Sequence, residues 1–176
     1  MRFELLHSET VFSGRAFTIR RDSLRLPDGH QTRLDIVEHT GSVVLVPVDA
    51  EGNLLFVRQY RHAAGLELLE LPAGTLEKGE APEACARREV REETGMAAGS
   101  LEHLGEFYLA PGYSTENMHV YLATGLRPDP LEADADEFLI VEKLPLKKAL
   151  EMAETGRIPD AKTLAALLLA RARLEA

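Results

Sequence analysis

The stretch from Gly74 to Met96 constrains this chain more than any other. It runs Gly74, five residues, Glu80, seven residues, then Arg88-Glu89-Val90-Arg91-Glu92-Glu93-Thr94-Gly95-Met96. Ala81 to Thr94 has a helical composition, with Pro82 suited to a first turn and Gly95 placed as the C-terminal stop. On that helix Glu89, Glu92 and Glu93 stand at i, i+3 and i+4, within roughly 100° of one face. Three carboxylates so close repel one another, and a divalent cation relieves the repulsion. Oxygen-only ligation suits Mg²⁺ or Mn²⁺, with water and a substrate phosphate completing the shell. Taken alone, the same cluster also describes a solvated helix face laced with pairs such as Arg88–Glu92.

The rest of the chain narrows the setting. Its 176 residues suit one domain, or one domain plus a small extra sheet. A net charge of −9 argues against a nucleic-acid backbone as partner. A polyanionic small molecule then needs a local answer, such as metal ions or a few placed arginines. The single cysteine, Cys85, excludes an internal disulfide and agrees with a reducing compartment. Arg2 and Glu4 interrupt the first ten residues, which do not read as a signal peptide. The longest apolar run, Leu164 to Ala170, is too short to span a membrane. The expectation is a soluble cytoplasmic protein with no membrane partner.

Thr18 to Glu38 reads as a hairpin around the turn Pro27-Asp28-Gly29. Strands are expected over Val43–Val48, Leu54–Tyr60, Leu66–Leu71, Glu102–Tyr108, Met118–Ala123 and Phe138–Val141. Ala110–Asn117 and Leu131–Glu137 read as loops, the latter acidic. Leu146–Thr155 and Lys162–Leu174 read as helices. Strands interleaved with helices make the class mixed α/β.

With its spacing complete, the Gly74–Met96 stretch resembles the Nudix box, Gly-x5-Glu-x7-Arg-Glu-U-x-Glu-Glu-x-Gly-U, where U is a bulky apolar residue. Val90 and Met96 fill the two apolar positions. The resemblance implies an α+β Nudix fold, a mixed sheet between helices with the box as loop–helix–loop. It implies that Glu89, Glu92 and Glu93 bind metal, that Ala73 adds a backbone carbonyl, and that Gly74, Glu80, Arg88 and Gly95 support the box. Cations on a pyrophosphate neutralise its charge, position a water and lower its pKa. Such catalysis is mostly positioning and charge stabilisation.

Features outside the box resemble the ADP-ribose pyrophosphatase branch of the family. Pro111 lies sixteen residues after Gly95, within Ala110-Pro111-Gly112-Tyr113-Ser114-Thr115-Glu116. Arg58-Gln59-Tyr60-Arg61 precedes Glu70-Leu71-Pro72-Ala73-Gly74, and Ile158-Pro159-Asp160-Ala161-Lys162-Thr163 opens the last helix. This resemblance implies substrate contacts from Arg33, Arg61 and Glu116, with Phe17 and Tyr113 as candidates to stack on adenine. It places the general base in the acidic loop, at Glu137 with Asp134 or Asp136 as substitutes. Relatives often carry a glutamate where Ala135 stands here. Residues 1–40 resemble an added N-terminal antiparallel sheet that builds a homodimer, and residues 41–176 the hydrolase domain. The implied reaction is metal-dependent hydrolysis of ADP-ribose to AMP and ribose 5-phosphate. GDP-mannose, FAD or NADH are alternative substrates, and a non-catalytic ADP-ribose-binding domain is a third reading. His39, His62, His103 and His119 are dispersed in sequence and suggest no zinc site. Cys85 reads as a small semi-buried residue rather than a nucleophile.

Overall fold

The computed structural model describes residues 2–15, 17–132 and 138–175. These residues gather into two compact units, one of residues 1–41 with 108–117, the other of residues 42–107 with 118–176.

The first unit is built on a three-stranded antiparallel sheet of β1 (Glu4–Ser13), β2 (Thr18–Arg25) and β3 (Gln31–Glu38). The turn expected at Pro27-Asp28-Gly29 joins β2 to β3. Gly29 takes φ of 90°, open to a residue without Cβ, and its N–H donates to the Leu26 carbonyl at 2.9 Å. Charged pairs lace the strands: Arg21 to Asp35 at 2.7 Å, and Arg20 to both Asp22 and Glu38. Segment 108–117 is tied to β3, because Val37 N–H donates to the Tyr113 carbonyl and Thr115 N–H to the Val37 carbonyl. Strand β1 was not foreseen. Every one of its ten residues is exposed, so no alternation of apolar and polar side chains marks it.

The second unit contains β4 (Ser42–Pro47), β5 (Asn53–Arg61), β6 (Leu66–Glu70), β7 (Ala73–Thr75), α1 (Pro82–Thr94), β8 (Met96–Ala97), β9 (Ser100–Tyr108), β10 (Asn117–Thr124), β11 (Arg127–Pro128), β12 (Leu139–Pro145), α2 (Leu146–Glu154) and α3 (Ala161–Leu174). Its central sheet has the order β7-β4-β10-β9 and is mixed, with β4 parallel to β10 and antiparallel to β7. A second, antiparallel sheet has the order β12-β5-β6.

Strand β4 is buried at every position, as its unbroken apolar run requires. Val43 and Leu45 pack with Tyr121 and Ala123 of β10 against Cys85, Ala86 and Val90 of α1. Pleating turns Val44 and Val46 to the other face, and α3 also packs on β4, presenting Thr163, Ala166, Leu167 and Ala170 at i, i+3, i+4 and i+7. Each buried valine or leucine among them contributes about 1.5–3 kcal/mol by leaving water. The outcome is the mixed sheet between helices that the box implied.

Strand β12 runs four residues beyond the expected Phe138–Val141. Glu142 and Lys143 hide the strand in sequence, but they stand opposite Phe56 and Leu55 of β5, and Glu142 pairs with Arg58 at 2.5 Å. Among the described residues no helix is long and apolar enough to cross a membrane.

Candidate active site

Helix α1 is built by local chemistry. Pro82 occupies its first turn, and Gly95 closes it in the left-handed region at φ 71°, its N–H donating to the Arg91 carbonyl at 3.0 Å. Its apolar residues Cys85, Ala86 and Val90 fix the rotation of the helix on the sheet. That rotation carries Glu89 and Glu93 to the buried boundary, while Glu92 stays more open.

Burying two carboxylates demands partners. Glu93 accepts the Ala73 backbone N–H at 2.9 Å, which ties the helix to the first residue of β7. Glu89 lies directly over Gly74. A Cβ at Gly74 would stand 1.9 Å from the Glu89 Cδ and Oε1 atoms, so only glycine lets the carboxylate settle there.

Arg88 supplies the local positive charge. Its Nη1 donates to Glu89 at 2.6 Å and to Glu92 at 2.8 Å, and its Nε and Nη2 form a fork on Glu80 at 3.1 and 3.0 Å. The bond from Arg88 holds the Glu80 carboxyl below the usual glutamate range, and the same partners raise the Arg88 guanidinium. Glu80 in turn accepts the Glu77 N–H at 2.9 Å, closing the loop before the helix. Burial, reinforced by the negative charges of Glu89 and Glu80, pushes the Cys85 thiol up to about 12, so it carries no thiolate at neutral pH.

A second cluster forms at the end of β5. Arg61 makes a bidentate pair with Glu70, 2.9 Å from Nε and 2.7 Å from Nη2. Glu70, only 1% exposed, also accepts from Lys162 of α3. Lys162 donates to Asp160 at 2.9 Å. Asp160 caps α3 by accepting the Thr163 N–H and hydroxyl, and Thr163 Oγ1 accepts the Leu71 N–H at 2.8 Å. Burial opposes ionisation of Glu70, yet the bond from Arg61 and the charge of Lys162 prevail and keep its carboxyl below the usual range. Arg61 is raised first by Glu70, against burial, with help from the charges of Glu93 and Asp160. Glu93 thus brings the box within electrical reach of Arg61.

Glu70, Asp160, Lys162 and Thr163 lay within sequence motifs but carried no assigned role. A paired Arg61–Glu70 and a buried lysine have no signature in one sequence, because 92 residues separate Glu70 from Lys162.

The remaining candidates lie on other segments of the chain. Arg33 is exposed on β3 opposite Ser23, and Glu116 is half-buried beyond the turn at Ala110, both within the first unit. Phe17 packs against Phe12 with ring centroids 6.2 Å apart, and Tyr113 is exposed. Glu137, Asp134 and Asp136 lie outside the described residues. The sheet brings His103 and His119 to 5.7 Å although they are dispersed in sequence.

The donor set fits a hard divalent cation. Glu89, Glu92 and Glu93 offer only oxygen, and Gly74 preserves the space into which Glu89 projects. Among the described residues no three His, Cys, Asp or Glu side chains are gathered so as to hold a metal ion directly. Here the cation that meets Glu80, Glu89 and Glu92 is the Arg88 guanidinium.

A NUDIX domain model matches residues 38–167. An ADP-ribose pyrophosphatase of Bacillus subtilis (strain 168) is 40% identical over 157 residues, covering 88% of this chain and 85% of that protein. An ADP-ribose pyrophosphatase of Mycobacterium tuberculosis (strain ATCC 25618 / H37Rv) is 40% identical over 175 residues, covering 97% of this chain and 84% of that protein. A crystal structure titled as an ADP compounds hydrolase superposes with a TM-score of 0.89 at 28% identity, covering 99% of this chain and 95% of that one. The chain belongs to the Nudix family and is a pyrophosphohydrolase of that divalent-metal-dependent class.

Proposed function

We propose that the protein hydrolyses the pyrophosphate linkage of ADP-ribose, giving AMP and ribose 5-phosphate, with Mg²⁺ as its metal and Mn²⁺ as a substitute. The observation that carries this reading is the complete box: Glu89, Glu92 and Glu93 stand at i, i+3 and i+4 on α1 with Glu89 over Gly74, in a chain 40% identical to ADP-ribose pyrophosphatases over most of its length.

In this reading Glu89, Glu92, Glu93 and the Ala73 carbonyl hold the metal, while Gly74, Glu80, Arg88 and Gly95 shape the box. A bound divalent cation supplies neutralisation of pyrophosphate charge and a more acidic water. Glu92 and Glu93 orient that water. Arg61 is rooted on Glu70 by Nε and Nη2, and Nη1, which joins neither bond, donates to a phosphate oxygen. Arg33 and Glu116 contact the remainder of the substrate. Glu137 accepts the proton of the attacking water, with Asp134 or Asp136 as substitutes, and the linkage opens as water oxygen joins phosphorus and the bridging oxygen departs with one product. Residues 1–40 form a dimerisation region of the same functional unit as the hydrolase domain 41–176. The exposed Leu5, Val11, Phe12 and Leu34 of the N-terminal sheet support a homodimer. The working compartment is the cytoplasm, and nucleic acid and membrane are not partners.

Purified protein with Mg²⁺ should be compared by kcat/KM on ADP-ribose, GDP-mannose, FAD, NADH and diadenosine polyphosphates. ADP-ribose is expected to rank first. Preference for another member overturns the substrate, and no turnover of any overturns catalysis. Sedimentation as a monomer at micromolar concentration removes the dimer.

A further inference from the structure

We infer that Lys162 is a positioning residue for substrate, acting through Glu70 on Arg61; the inference rests on the proposed contact between Arg61 and a substrate phosphate. Lys162 is 9% exposed, and no step of the chemistry requires a lysine at that depth. Burying an ammonium is costly unless it is paired. Its two partners are Glu70 and Asp160.

The geometry links these groups in one chain that ends at the rim. Asp160 is held by the first turn of α3, through the Thr163 N–H at 3.0 Å and hydroxyl at 2.6 Å. Lys162 bridges Asp160 to Glu70 Oε2. Glu70 then presents both oxygens to the Arg61 fork. Only Arg61 reaches the rim, its side chain 41% exposed against 1% for Glu70 and 11% for Lys162. A lone arginine at a strand end samples many rotamers, and fixing it on binding costs side-chain entropy. A bidentate pair with an immobile carboxylate meets that cost before substrate arrives. Glu70 is immobile only while Lys162 holds Oε2 and the Arg61 fork holds both oxygens. Without Lys162, its carboxylate rotates about its terminal torsion and the Arg61 fork follows.

A purely structural tie between α3 and β6 predicts a loss of stability and nothing more. A positioning role predicts coupling between Lys162 and Arg61 in substrate binding. The test is a cycle of Lys162→Met, Arg61→Ala and the double variant, measured for KM and kcat on ADP-ribose with Mg²⁺ and for thermal unfolding. Lys162→Met is expected to raise KM about tenfold with kcat within about twofold, the pattern of lost uniform binding. In the Arg61→Ala background it should raise KM by less than about twofold, because the group it orients is gone. Lys162→Arg should recover most of the KM. A reversibly unfolded fraction would itself raise the apparent KM, so each variant is assayed well below its melting transition, where circular dichroism shows it fully folded, and Lys162→Gln is a second variant should Met not fold. An unchanged KM in Lys162→Met, or the same factor in both backgrounds, overturns the positioning role alone. Arg61→Ala with unaltered KM removes the phosphate contact and this role with it. Wild-type protein inert on ADP-ribose overturns the functional reading itself.

Discussion

Gly74→Ala separates the metal platform from the fold. The added methyl carbon would meet Glu89 Cδ and Oε1 at 1.9 Å and Oε2 at 2.4 Å, where ordinary contact begins near 3.5 Å. The Glu89 carboxylate must therefore retreat by about 1.6 Å, the difference between those distances. Backbone strain adds nothing, since Gly74 is not among the glycines with positive φ. The obstacle is the end of a flexible side chain, so the structural cost is limited to overpacking and a weakened bond from Arg88, about 1–3 kcal/mol. The functional cost is larger. A displacement of about 1 Å at a reacting centre costs on the order of 100-fold in rate. Gly74→Ala is expected to lower kcat on ADP-ribose by about 100-fold or more at saturating Mg²⁺, with circular dichroism unchanged and melting lowered by a few degrees. A second variant isolates the cause. In a Glu89→Ala background the methyl group meets no carboxylate, so Gly74→Ala should be neutral or stabilising there by up to about 1 kcal/mol through the unfolded chain. Retention of kcat within about twofold in Gly74→Ala, or equal destabilisation in both backgrounds, would refute the account.

Three further outcomes follow from the same geometry. Glu92→Gln and Glu93→Gln should each lower kcat by at least about 100-fold while leaving circular dichroism intact; unchanged kcat in both would remove the metal assignment. Burial works against ionisation of Asp49, but bonds from the Asn53 N–H and side chain and from Lys143 win and hold it at about 2, so its contribution is fully present above the ordinary aspartate range near 3.8 and is lost as pH falls through about 2. Asp49→Asn should thus destabilise at pH 7 and progressively less toward pH 2, and denaturant melts showing a pH-independent difference would contradict this. Cys85, buried and pushed up to about 12, should resist Ellman's reagent at pH 8 in the native protein and titrate as one thiol in denaturant; rapid native labelling would show that the α1 interface opens.

Much of the site was legible because its signals are local. Pro82, Gly95 and the i, i+3, i+4 carboxylates lie within a few turns of one helix, so their spacing prescribes their common face. The apolar run of β4 likewise announced a buried strand. The two- and three-residue strands β7, β8 and β11 carried no such signal, since strands that short exist only through their partners. Strand β1 was invisible for the opposite reason: it is long, but exposed throughout.

The sequence alone determined the family and the helix that bears its three carboxylates, because residue type and spacing along one helix suffice to place carboxylates on a common face. Tertiary structure decided what surrounds them. Gly74 was legible as part of the box, but the reason it must be glycine appears only when Glu89 of α1 is laid over β7. Arg61 stands out in the sequence as a candidate substrate contact, but its grip by Glu70, and of Glu70 by Lys162, joins residues that chain order keeps apart. Local spacing prescribes which groups share a face; only the closing of distant strands and helices decides which of them become buried, and a buried charge must find its partner wherever the fold has placed one.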